Sequence, residues 1–132
     1  MQIHWTRCHT YDEARNASGI IYLHEWDDAP FYWGKAHKSF FGGHKRTHGD
    51  LTASGRYNVG YRHWIEGCLR HGAKLYIGKL DGAALGRIDD VEDFLIHTYG
   101  HVMNTRLSKS PCTLVIQHEG DIPASISSRA PA

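Results

Sequence analysis

Three short apolar runs stand out against a polar background. Ile20-Ile21-Tyr22-Leu23 is rich in β-formers and follows the turn signal Ser18-Gly19. Phe31-Tyr32-Trp33 is the second run, and the polar stretch 25–30 between the two predicts a β-hairpin. Leu75–Leu80 predicts a third strand. Helical spacing governs two other segments. Tyr61, Trp64, Ile65, Cys68 and Leu69 recur on one face of a 3.6-residue period. They predict a helix with Asn58 as N-cap and Gly72 at its C-terminal end. Val91, Phe94, Leu95 and Thr98 keep the same period and predict a second helix, from Asp89 or Asp90 to Gly100. His44–Leu51 reads as a short helical stretch and 112–117 as an extra strand, at an edge. Residues 1–18 read as an irregular or partly extended lead-in, and 119–132 as a flexible tail. One domain over 19–118 remains.

Composition supports a globular domain. The chain has 132 residues, 41% hydrophobic and 22% charged, a soluble globular balance rather than a disordered or membrane one. No apolar run approaches the roughly 18 residues of a membrane span. The N-terminus lacks a signal-peptide core, so the expectation is a cytoplasmic protein without a membrane partner. Cys8, Cys68 and Cys112 have no CxxC spacing, which argues against a disulfide framework or a cysteine-rich zinc site.

The formal net charge of +1 hides a segregation. Residues 35–79 carry nine basic and two acidic side chains, net +7, with five histidines among them. The flanking segments 1–34 and 80–132 are each net −3. The middle block predicts a phosphate-binding surface, against the plainer alternative of a solvated basic face.

Tyr22 closes the triplet Ile20-Ile21-Tyr22, and Tyr32 opens Tyr32-Trp33-Gly34 ten positions later. Lys35-Ala36 follows, and Glu92 precedes Asn104 by twelve positions. This combination resembles the GIY-YIG nuclease family, in which two tyrosines sit on adjacent antiparallel strands and a later helix carries a metal-binding glutamate. The resemblance covers roughly residues 19–106. It implies an α/β (α+β) domain with a three-stranded antiparallel sheet flanked by helices. Trp33 stands where the family usually has a small aliphatic residue. The family's catalytic arginine falls about ten positions after the second tyrosine, which here is Gly42. Arg46 is the nearest arginine, with Arg56 as its rival, and His44, His48 and Tyr57 are candidates for the further tyrosine or histidine.

The implied activity is endonucleolytic hydrolysis of DNA, double-stranded by expectation, with Mg²⁺ or Mn²⁺. Glu92 would hold the metal as a hard oxygen ligand. Arg46 would pair with phosphate oxygens through its planar fork. Tyr22, with help from His48, would activate or position the attacking water, and Tyr32 would bond the phosphate or water. Asn104 would orient its neighbours. Lys35, Lys38, Lys45, Arg56 and Arg62 would contact the flanking backbone. A homo-oligomer is compatible with this reading.

Each residue also has a plainer role. The tyrosines could be ordinary cross-strand aromatics. Glu92 could complete a capping box begun by Asp89. Trp64 sits on the apolar helix face and reads as core. Two other functions compete with the nuclease. One is a nucleic-acid-binding module that keeps the fold without catalysis. The other is a structural zinc protein using His44, His48, Cys68 and His71.

Overall fold

A computed structural model describes residues 1–42, 53–104 and 112–128, with 53–61 described as backbone only. The chain runs β1 (Gln2–Cys8), α1 (Tyr11–Ala14), β2 (Ile20–Trp26), β3 (Ala29–Ala36), α2 (Ala53–Arg70), β4 (Lys74–Leu80), α3 (Gly82–Leu85), α4 (Ile88–Tyr99), β5 (Gln117–Gly120) and α5 (Ala124–Ser127). The fold is of mixed α and β type. Its five strands form one sheet in the order β3-β2-β4-β1-β5. All neighbours are antiparallel except β1 and β5, which run parallel.

The three strands expected from the sequence, β2, β3 and β4, are adjacent and antiparallel, but the sheet does not stop there. The expected lead-in contains β1, which pairs along β4 from Ile3↔Leu80 to Cys8↔Leu75. Ile3 and Trp5 point to one face and are almost wholly buried. The extra strand lies at 117–120 rather than at 112–117. It pairs with residues 2–5 and forms one edge of the sheet. Its side chains are mostly exposed, so backbone pairing rather than an apolar pattern defines it. Part of the expected tail is also ordered. Ser125 donates both its backbone N–H, at 2.7 Å, and its hydroxyl to Oε2 of fully buried Glu25.

The hairpin turns through Asp27 and Asp28, at φ 54° and 59°. Two successive positive-φ residues give the twist that joins antiparallel strands by a two-residue loop, and aspartate tolerates that conformation better than most side chains. The register shifts between His24 and Glu25, so that His24 pairs with Tyr32 and Glu25 with Pro30.

The sheet separates two cores. On one face Ile3, Trp5, Ile21, Leu23, Trp33 and Tyr76 pack against Val91, Leu95 and Ile96 of α4. On the other Cys8, Ile20, Ala36, Leu75 and Ile77 pack against Tyr11 and Ala14 of α1 and Ile65 of α2. Trp33 is fully buried, and its indole N–H donates to the Gly100 carbonyl at 2.8 Å. The large Trp33 ring thus fills the space between β3 and α4.

Helix α2 begins at Ala53, so Asn58 lies inside it rather than at its cap. It ends where expected, with Gly72 at φ 95°. Helix α4 begins at Ile88 after Arg87, without a side-chain cap, and Asp89 is already in its first turn. Glu92 therefore forms no capping box with Asp89. The expected stretch 44–51 lies outside the described residues.

Candidate active site

Among the described residues strand β3 pairs only with β2 in the sheet and is an edge strand. Side chains alternate along it, so Tyr32, Gly34 and Ala36 face α2 while Trp33 and Lys35 face α4. Tyr22 stands opposite Gly34 in the register. A Cβ on Gly34 would lie 2.1 Å from Cζ of Tyr22 and 2.3 Å from its hydroxyl oxygen. The missing side chain at Gly34 is therefore what lets the Tyr22 ring lie across β3. The Tyr22 and Tyr32 ring centroids are 6.1 Å apart. Phe41 meets Tyr22 edge-on, with centroids at 4.8 Å.

On the opposite face, Lys35 bridges two carboxylates of α4. Its Nζ lies 2.8 Å from Asp89 and 3.1 Å from Glu92. Asp89 is well exposed, whereas Glu92 keeps only 20% of its side-chain surface. Burial raises the Glu92 carboxyl above its ordinary range, and the Lys35 ammonium only partly offsets this. Burial also works against the charge on Lys35, but its hydrogen bonds to Asp89 and Glu92 outweigh that and raise its pKa. Hydrogen bonding to Lys35 lowers Asp89. The ammonium thus stabilises two charges, and the less exposed one remains the more easily protonated.

Asn104 pairs with the free edge of β3. Its Oδ1 accepts from the Trp33 N–H at 2.9 Å, and its Nδ2 donates to the Trp33 carbonyl at 2.7 Å. The N–H groups of Val102 and Met103 donate to the Phe31 carbonyl. This segment continues the backbone pairing beyond the sheet and holds in register the strand that carries Tyr32 and Lys35.

The structure therefore brings Tyr22 to Tyr32 and Lys35 to Glu92, on the two faces of one edge strand, with Asn104 on its rim. Lys38 is exposed just beyond β3. Arg62 is engaged elsewhere. It bonds Glu66 at 3.0 Å and Asp12 at 3.3 Å, and its guanidinium lies over the Tyr11 ring. Lys45, Arg46 and His48 lie outside the described residues, as does the side chain of Arg56. Gly42 is closely surrounded. A Cβ on it would lie 2.6 Å from the Tyr11 hydroxyl oxygen and 3.1 Å from the Arg15 carbonyl oxygen.

One residue at this site was not legible as chemistry. His24 follows Tyr22 by two positions and so shares its face. It is 2% exposed, and its Nε2 has no hydrogen-bond partner among the described residues. Burial pushes its pKa down to about 4, so the ring is neutral near pH 7. It packs against Tyr22 at 5.8 Å, Tyr32 at 6.4 Å and Trp64 at 5.3 Å between ring centroids. Strand alternation from Tyr22 was the signal that could have found it. Trp64, expected in the core, is instead 38% exposed.

The donor chemistry suits a hard divalent cation held weakly. Glu92 offers one shielded carboxylate and Asp89 a second beside it, and Mg²⁺ commonly takes one or two carboxylates with water and substrate phosphate. Among the described residues no group of three or more His, Cys, Asp or Glu could hold a metal ion. Of the four residues weighed for zinc, Cys68 is half-buried and His71 exposed, and the two histidines at 44 and 48 lie outside the described residues. No helix among the described residues is long and apolar enough to cross a membrane. Comparison with known proteins finds no family model, no curated protein and no solved structure that matches this chain.

Proposed function

We propose that the chain is a metal-dependent endonuclease of GIY-YIG type that hydrolyses DNA phosphodiester bonds. The observation that carries this reading is the edge strand β3. Tyr32, the open Gly34 beneath the Tyr22 ring, and Lys35 bound to Glu92 follow one another within four positions of it. Strand packing alone does not require a glycine under a tyrosine beside a lysine clamped on a half-buried glutamate.

The roles follow from the chemistry of each group. Tyr22 and Tyr32 present two hydroxyls on one face, suited to bonding a phosphate oxygen and an attacking water. His24 fixes both rings from behind as a neutral group. On the other face of β3, Lys35 neutralises Glu92 and would turn to a neighbouring phosphate of the bound strand if a cation took its place. Glu92, with Asp89 beside it, would hold Mg²⁺ or Mn²⁺. When bound, that ion would supply charge stabilisation on the phosphoryl oxygens. Arg46 or Arg56 would supply the second positive charge.

Incubation of the chain with supercoiled plasmid and Mg²⁺ tests the proposal. Nicking is expected from the wild type, with a loss of about a hundredfold or more in Glu92→Ala. No nicking by the wild type, or undiminished nicking by the variant, would overturn it. A second reading has its own observation: Gly42 leaves no room for a side chain at the family's arginine position. In that reading the domain binds nucleic acid without cutting it. DNA binding that survives EDTA, with no cleavage of any substrate, would favour it.

A further inference from the structure

Beyond the tyrosine pair, the aromatic surface continues outward to solvent. Trp26 and Trp64 are 36% and 38% exposed. Phe31 lies between them, with its centroid 6.2 Å from Trp26 and 6.0 Å from Trp64, the latter pair stacked at 26°. Trp26 and Trp64 line a cleft of about 510 Å³ with His63, Gly67, Cys68 and His71. The series also runs inward, because Trp64 meets His24, and His24 meets both Tyr22 and Tyr32.

We propose that this cleft stacks an unpaired nucleobase of the strand whose phosphate lies at the tyrosine pair. This rests on the nuclease reading and adds a subsite to it. Three observations favour a base over a peptide. First, two tryptophans and no Leu, Ile or Val are among the cleft's lining residues, whereas grooves that take an amphipathic helix hold apolar side-chain anchors. Second, no carboxylate lines it among the described residues, while two histidines do, so its rim tolerates a polyanion. Third, strand addition at the neighbouring edge of β3 is already taken, since 102–104 bond its backbone groups. Aromatic faces beside a phosphate site are how proteins hold single strands without reading sequence.

The test compares the full chain binding a short single-stranded oligothymidine with an abasic oligonucleotide of the same length and charge, in EDTA. Tryptophan emission provides the signal. At equal salt the phosphate contribution is matched, so the difference reads the base. Oligothymidine should quench emission and bind about 5- to 150-fold tighter than the abasic strand. Trp64→Ala should remove most of that preference and Trp64→Phe should retain it. Trp26→Ala, at the exposed end, should weaken it in a fold left intact by thermal melting. Equal affinity for the two strands in the wild type would overturn the proposal, as would an unchanged preference in both alanine variants. So would a wild-type dimer that Trp64→Ala dissociates, with no base preference in either form. The outcome is separable from that of the nuclease reading. Base preference is measured without metal, and nicking that depends on Glu92 would stand even if the preference were absent.

Discussion

His24 is enclosed by Tyr22, Tyr32, Phe41 and Trp64, and an imidazolium there would have no aqueous shell. Its pKa falls from 6.5 to about 4 on folding. Above pH 6.5 both folded and unfolded forms are neutral. As the pH drops from 6.5 towards 4, only the unfolded chain takes up the proton, so stability is lost across that window. The loss amounts to up to about 3 kcal/mol. Urea unfolding at the two pH values should show it, and His24→Phe should flatten it. Glu92 titrates in the opposite sense. Burial raises its carboxyl, so the folded state disfavours the charged form that a metal needs. Metal binding, followed by calorimetry, should therefore fade on acidification at a pH above the ordinary glutamate range. Lys35→Met removes the ammonium bound to Glu92 and should move that limb higher still. None of this was readable from residue identities. The sequence offers Glu92 and Lys35 as letters 57 positions apart, and only the packing of α4 on β3 makes them partners.

At the scale of elements, the hairpin β2–β3 is the unit that positions the proposed site. Replacing Gly34 with alanine should cost about 1 to 3 kcal/mol by overpacking against the Tyr22 ring. Cleavage should fall about a hundredfold, because the ring must move by an ångström or more. Thermal melting and plasmid nicking separate the two effects. The hairpin, β4 and α4 were legible in advance because apolar runs and a 3.6-residue period mark them. The elements that escaped lacked such marks. Strand β1 offers only Ile3 and Trp5 in alternation, and its closest partner lies at 75–80. Strand β5 reads Gln-His-Glu-Gly and owes its existence to hydrogen bonds with β1. The start of α2 was placed too late, because Ala53–Tyr57 carries little apolar period. Glu92 was assigned a cap partner that in fact lies inside the same helix.

For the whole molecule, the near-neutral charge is a poor guide to partners. The +7 segment spans β3 from Lys35, α2 and most of β4, while the two acidic segments supply α1, α4 and the C-terminal elements. Folding partly pairs these blocks, as at Lys35–Glu92, Arg62–Asp12 and Lys74–Asp28. The basic charge left over should still govern DNA binding. Affinity measured from low to moderate salt should fall steeply, along a straight line in log–log form. A flat profile would mean that the basic residues do not share a face.

The sheet order also dictates a schedule for the nascent chain. Strand β1 is made before β2, β3, β4 and β5, yet it lies between β4 and β5. Its neighbour β4 ends at Leu80, so at typical synthesis rates β1 waits about 4 to 16 seconds for a partner. During that interval Ile3 and Trp5, sealed in the finished protein, are open to any passing apolar surface. The hairpin bearing both tyrosines needs no such wait. The half of the sheet that carries the proposed site can thus assemble during translation, while β1 stays exposed to chaperones and proteases until β4 has been made.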